Sequence, residues 1–166
     1  TKEVLRIYQS GQFKGIGEAK AISIIAALEL GRRRRVEDAK ELECIASSKA
    51  VFEIMQPIIG ELYHEEFWVL YLNNANKVVN KSQISKGGIT GTVVDTRVIF
   101  KLALECSATS VILTHNHPSG KLIASEADKQ ITKTIKEAGK SLDIRVLDHV
   151  IITEKGYLSF VDEGMF

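Results

Sequence analysis

Thr109-Ser110-Val111-Ile112-Leu113-Thr114-His115-Asn116-His117-Pro118-Ser119-Gly120 is a β-branched, apolar run that ends in two histidines, a proline and a glycine. Residues 109–114 read as a buried strand, being short, rich in Val, Ile and Thr, and bounded by turn-forming residues. Side chains two apart on a strand share a face. A strand persisting through 117 therefore delivers His115 and His117 side by side at its C-terminal end. Pro118 supports this, because a residue before proline is pushed into extended geometry. Ser119-Gly120 then lets the chain turn.

A helix opens beyond the turn at Ser125-Glu126-Ala127-Asp128. Ala127, Ile131, Ile135 and Ala138 recur at helical spacing, with Lys129, Lys133, Lys136 and Lys140 largely on other faces. Asp128 lies three and seven residues before Ile131 and Ile135, on or beside the inward stripe. From the first turn its carboxylate can reach back towards the strand end. The full spacing is His-x-His-x7-Ser-x2-Asp. Two imidazoles and a carboxylate suit a first-row metal, and three protein ligands leave the fourth position of a catalytic zinc open for water. His115, His117 and Asp128 are thus candidate zinc ligands, and the pattern points to a metallohydrolase. Ser125-x-x-Asp128 also fits a helix start of the capping-box kind, with Asp in place of the usual Glu or Gln. The two readings are compatible.

Composition bounds the rest. At 166 residues, 45% hydrophobic and 26% charged, the chain suits one main domain with a small appendage. No apolar stretch approaches the roughly 20 residues needed to span a bilayer, and no charged-then-apolar leader is visible, so a cytoplasmic protein is expected. Cys44 and Cys106 have no disulfide or metal spacing, and packing in a reducing compartment is their default role. Cys106 fits the apolar side of the helix before the histidine strand. Residues 1–40 carry nine Lys/Arg against five Asp/Glu, whereas residues 41–166 carry thirteen against sixteen. The appendage is the basic part, and the boundary falls in Val36–Ala46, after the Arg32–Arg35 run. That run reads as a solvated helix end.

The remaining elements follow in order. Ser47 or Ser48 starts a helix to about Tyr63, Phe67–Asn73 is a strand, and Asn73-Asn74-Ala75-Asn76 turns into strand Lys77–Gln83. Gly87, Gly88 and Gly91 mark a loop, with a further extended piece running through Ile89. Asp95 caps a helix over 96–107. The helix from Ser125 runs to about Lys140, strand Ile144–Ile152 follows, and Glu154-Lys155-Gly156 turns into a last strand near Tyr157–Phe160. This order predicts an α/β sandwich with a mixed, mainly antiparallel sheet.

Two other metal patterns fail on the letters. His64-Glu65-Glu66-Phe67-Trp68 begins like a zincin helix, but Trp68 stands where the second histidine is required. The deaminase pattern is absent, since neither cysteine has a partner. His149 is a further ligand candidate, although a histidine in a strand is more often hydrogen-bonded in a core. Asp148 beside it reads as a residue that positions a neighbour.

Near the start, Phe13-Lys14-Gly15-Ile16-Gly17-Glu18-Ala19-Lys20-Ala21 separates a short helix from a longer apolar one through Leu30. It resembles the helix-hairpin-helix element, whose Gly-x-Gly turn exposes backbone N–H groups to a DNA phosphate. A plain packing hairpin explains the same letters. Residues 1–35 are accordingly expected to make at most weak, sequence-insensitive DNA contacts.

The histidine segment resembles the JAMM motif of the MPN metallopeptidases. His-Asn-His-Pro-Ser-Gly, with Leu147-Asp148-His149-Val150-Ile151-Ile152 and the Tyr157-Leu158-Ser159-Phe160 ending, is similar to the bacterial RadC family over roughly residues 10–166. The resemblance implies a cytidine-deaminase-like sandwich over residues 45–166, preceded by a helical hairpin over 1–36. It implies that His115, His117 and Asp128 hold Zn2+ and that Ser125 helps to hold the tetrahedral intermediate. The upstream general base of this family has its best counterpart in Glu65 of Glu65-Glu66-Phe67. Glu66 is the rival, and it falls on the opposite face if the strand already extends there. The implied reaction is hydrolysis of a peptide or isopeptide bond in a protein or peptide substrate. The alternative is a DNA-associated repair or recombination module in which the MPN domain is structural.

Overall fold

The structure is a computed structural model that describes residues 18–38, 43–87 and 94–166. The chain divides into two units, Thr1–Leu42 and Glu43–Phe166. In the first unit, helix α1 spans Glu18–Asp38. It continues past the apolar stretch that runs through Leu30, and past the Arg32–Arg35 run read as its solvated end, to Asp38. Gly31 costs a helix interior only about 1 kcal/mol, and the arginines after it are good helix formers. The Gly15–Gly17 turn lies outside the described residues.

The second unit is an α/β sandwich. Its described helices are α2 (Ser48–Ile59), α3 (Thr96–Glu105) and α4 (Glu126–Lys140). Its strands are β1 (Glu66–Leu72), β2 (Val78–Lys86), β3 (Ser110–Asn116), β4 (Arg145–Ile152) and β5 (Tyr157–Ser159). They form one mixed sheet in the order β2-β1-β3-β4-β5. Only the β3–β4 pair is parallel, and α4 provides its crossover. The other three pairs are antiparallel.

Both faces of the sheet are covered. Ile99, Phe100 and Ala103 of α3 and Ile135 of α4 pack on Phe67, Val69, Tyr71, Val111 and Leu113. Val51, Met55 and Ile59 of α2 pack on Leu70, Leu72, Ile112, Val150 and Ile152 on the other face. Double coverage explains why every residue of β3 is buried and why its sequence is a continuous apolar run rather than an alternating one. No helix among the described residues is long and apolar enough to cross a membrane.

Several boundaries differ from the sequence expectation. Helix α2 ends at Ile59, with Gly60 as its C-cap and the Gly60 N–H still on the Gln56 carbonyl, 2.8 Å away. Tyr63, expected on that helix, is fully exposed beyond it. The turn at Asn73 is tied by its own side chain, whose Oδ1 accepts from the N–H groups of Ala75 and Lys77 at 2.9 and 3.1 Å. Strand β2 runs to Lys86, three residues past Gln83, through two irregularities in its register with β1. Helix α3 stops at Glu105, with Cys106 as its C-cap and Ser107 in the left-handed region at φ 55°. The extended piece expected through Ile89 lies outside the described residues.

Candidate active site

The site is built where β3 ends and α4 begins. His115 faces the α3 and α4 side of the sheet, and its register partner on β1 is Phe67. The two rings stack, with centroids 6.2 Å apart and planes within 9°. Strand β3 ends at Asn116, but the His117 N–H still donates to the Ile152 carbonyl at 2.9 Å. Extended geometry therefore persists one residue further. His115 and His117 project together, as two residues apart on a strand must. Their Nε2 atoms are 3.0 Å apart.

Asp128 arrives from the first turn of α4. Its Oδ1 lies 3.3 Å from His115 Nε2, and its Oδ2 lies 3.8 Å from His117 Nε2. The same Oδ2 accepts hydrogen bonds from the Ser125 backbone N–H at 2.8 Å and from the Ser125 hydroxyl at 2.7 Å. The Asp128 N–H donates back to Ser125 Oγ at 3.2 Å, completing a capping box. Capping and an inward-facing carboxylate thus coexist in one residue.

The three donors fit a zinc ion by geometry and by chemistry. Donors about 2.0–2.1 Å from zinc at tetrahedral angles lie roughly 3.3–3.4 Å apart. His115 Nε2 lies 3.0 Å from His117 Nε2 and 3.3 Å from Asp128 Oδ1, near that value, while His117 Nε2 reaches the other carboxylate oxygen, Oδ2, at 3.8 Å. The His117 Nδ1–H donates to the Lys121 carbonyl, 2.8 Å away, since a carbonyl can only accept. That leaves the lone pair of a neutral His117 on Nε2, directed at the site. Burial pushes His115 down to about 4, with His117 adding to the fall and Asp128 opposing it. His115 is neutral at pH 7, the form in which imidazole binds metals.

A cavity of about 740 Å³ opens over these groups. Glu65, Ser119, Lys121 and Ser125 give it polar walls, while Phe67, Val94, Ala127 and Ile131 give it apolar ones.

A RadC-like JAB domain model matches residues 45–165. The chain belongs to this family. A "UPF0758 protein" of Flavobacterium johnsoniae is 67% identical, over 98% of this chain and 71% of its own length. Proteins of the same name from Porphyromonas gingivalis and Rubrobacter xylanophilus are 40% and 42% identical. They match 94% and 96% of this chain and 69% and 70% of their own lengths.

Within this RadC-like JAB domain, the two candidate bases are separated by strand parity. Glu65 lines the cavity with His115, His117, Ser125 and Asp128. Glu66 points to the other face, where its carboxylate accepts from Trp68 Nε1 at 2.8 Å and lies 2.8 Å from His64 Nε2. These partners and nearby Lys86 hold the Glu66 carboxyl below its ordinary range, outweighing its burial, the largest single influence, which acts the other way.

The sequence reading missed two residues. Asn116, between the histidines and on the opposite face, accepts from the Glu66 N–H at 2.8 Å and donates to the His64 carbonyl at 2.9 Å. It brackets the backbone that carries Glu65. Thr132 is the second. It is buried in α4 beside His149, whereas Ala127, assigned to the inward stripe from sequence, is exposed at the cavity wall. Thr132 is four residues after Asp128, a spacing that shares one helix face, so the signal was present. His149 is completely buried, with its Nε2 2.8 Å from His115 Nδ1. Burial, then the neighbouring His115 and His117, lower its pKa well below the usual imidazole value. Asp148 supports the β4–β5 end, accepting from the Ser159 hydroxyl at 2.6 Å and from the Val161 N–H at 3.1 Å. It plays no part in the cavity wall.

Proposed function

We propose that this chain is a zinc-dependent hydrolase of peptide or isopeptide bonds. The observation that carries the reading is the convergence of His115, His117 and Asp128 at the floor of a cavity that Glu65 and Ser125 also line. His115, His117 and Asp128 would hold a zinc ion, which when bound would supply Lewis acidity and bring the pKa of water towards about 7. Glu65 removes a proton from the attacking water as its oxygen bonds to the amide carbon, then delivers that proton to the leaving nitrogen as the C–N bond breaks. The Ser125 hydroxyl turns from Asp128 to donate to the oxygen that gains charge. Phe67, Val94 and Ile131 limit bulk water around the reacting groups, which strengthens these interactions.

Two measurements test this reading. Purified protein is expected to carry about one zinc per chain, an expectation drawn from the three-ligand set, and to lose it in His115→Ala and Asp128→Ala. A mixture of linear and isopeptide-linked peptides is expected to yield a product that a chelator abolishes. Zinc retained in full by a His115→Ala, His117→Ala double variant would remove the metal assignment. Full zinc occupancy with no cleavage of either bond class would remove the hydrolase.

A further inference from the structure

We propose that Thr132 and His149 are positioning residues that hold His115 in the Nδ1–H tautomer and so aim its Nε2 lone pair into the site. The proposal rests on the reading of His115 as a metal ligand. It assigns the job of orienting that ligand to two residues on different elements.

The assignment of protons starts at a group with no choice. The Thr132 Oγ1 lies 2.5 Å from the Asp128 backbone carbonyl and 2.6 Å from His149 Nδ1. A carbonyl only accepts, and two oxygens that close need a proton between them, so the single hydroxyl hydrogen goes to Asp128. Thr132 Oγ1 must then accept from His149, which places a hydrogen on His149 Nδ1. The His149 ring is fully buried between Phe67 and Phe160, with centroids 5.6 and 4.7 Å away. Among the described residues no carboxylate is hydrogen-bonded to either ring nitrogen, and an imidazolium in such surroundings is costly. A neutral His149 with its hydrogen on Nδ1 offers a lone pair at Nε2. The group 2.8 Å from that lone pair is His115 Nδ1, which must donate. The lone pair of a neutral His115 is thereby left on Nε2.

The chain of bonds closes on itself. It leaves His115 on β3, crosses His149 on β4 and Thr132 on α4, and ends at the backbone carbonyl of Asp128, the ligand on the helix. Metal-binding histidines generally donate their second N–H to a fixed acceptor, and loss of that acceptor typically weakens binding by about 10–100-fold. Here the acceptor is a second imidazole, which can present either face of its own tautomer. Thr132 removes that ambiguity.

The test uses metal-free and zinc-loaded protein, with Thr132→Val and Thr132→Ser. Long-range 1H–15N spectra of the metal-free wild type are expected to show the Nδ1–H tautomer at both His115 and His149. Thr132→Val keeps the volume but removes the hydroxyl. It is expected to mix the His149 and His115 tautomers and to weaken zinc binding, read by competition with a chromophoric chelator, by about 10–100-fold. Thr132→Ser is expected to restore both readouts. An Nε2–H tautomer at His115 in the metal-free wild type overturns the proposal, and this result does not depend on any variant folding. A folded Thr132→Val with unchanged tautomers and zinc affinity overturns it equally. Neither result bears on whether the zinc-loaded protein cleaves amides, so the two readings fail separately.

Discussion

The side-chain oxygen of Asn116 accepts a hydrogen bond from the backbone N–H of Glu66 at 2.8 Å, across the antiparallel β1–β3 pair. Its amide nitrogen donates to the His64 carbonyl at 2.9 Å, so one side chain spans the residues on either side of Glu65. The residue between the two candidate ligands thus ties the candidate base to the strand that bears them. Asn116→Ala is expected to keep zinc, to lower kcat by about tenfold or more through loosened positioning, and to lose about 1–3 kcal/mol of stability from the unpaired Glu66 N–H. Zinc content, kcat and urea unfolding on one preparation check this. An unchanged kcat in a destabilised variant would make Asn116 purely structural.

Glu65 and Glu66 are adjacent in sequence and face opposite sides of the sheet. Glu65→Gln is expected to retain zinc and fold while losing about 10²–10⁴-fold in rate, the usual share of a positioned acid–base group. Glu66→Gln is expected to leave the chemistry near wild type and to act on stability through Trp68 and His64. Comparing kcat with the melting temperature separates the two. The opposite pattern, rate loss at Glu66 alone, would reverse the assignment.

The buried histidines are expected to make the metal-free protein acid-sensitive. His115 is pushed down to about 4 and His149 well below its ordinary value, so the unfolded chain takes up protons on both before the folded chain does. A depressed folded-state pKa contributes stability that is present above the unfolded value, about 6.5, and is lost as pH falls below it. Each proton contributes a slope of up to about 1.4 kcal/mol per pH unit. Asp148, raised by burial, has the opposite sign, but it is one carboxyl against two histidines. Chelator-treated protein is expected to be less stable at pH 5 than at pH 7 in denaturant titrations. A flat profile across that range would mean that these rings are hydrated or ion-paired in solution.

Gly139 tests the packing that sets α4 against the sheet. A β-carbon there would collide with the Ile144 backbone carbonyl and press on the Phe100 ring. Such overpacking costs about 1–3 kcal/mol, against the gain of at most about 1 kcal/mol that alanine has over glycine in a helix. Gly139→Ala is therefore expected to lower the unfolding midpoint. A raised midpoint would show that the β4 approach has room to move.

The sequence by itself determined whatever depends on local periodicity. The apolar run at 109–114, the Asp95 and Ser125 caps and the Asn73–Asn76 turn all sit where their chemistry predicts, since strand parity and capping involve neighbours in the chain. The same parity brings His115 and His117 out together. Element ends were less legible, because a stop such as Ser107, in the left-handed region just past α3, is backbone geometry that a hydrophobic pattern does not register. The tertiary structure alone decided what spans elements. That Glu65, just before β1, and not Glu66 faces the cavity depends on where β1 enters its register with β3. The circuit from His115 through His149 and Thr132 to Asp128 depends on the parallel β3–β4 pairing and on the helix between them. Residues 17 and 34 positions apart meet only when the sheet has closed, and no local preference encodes that meeting.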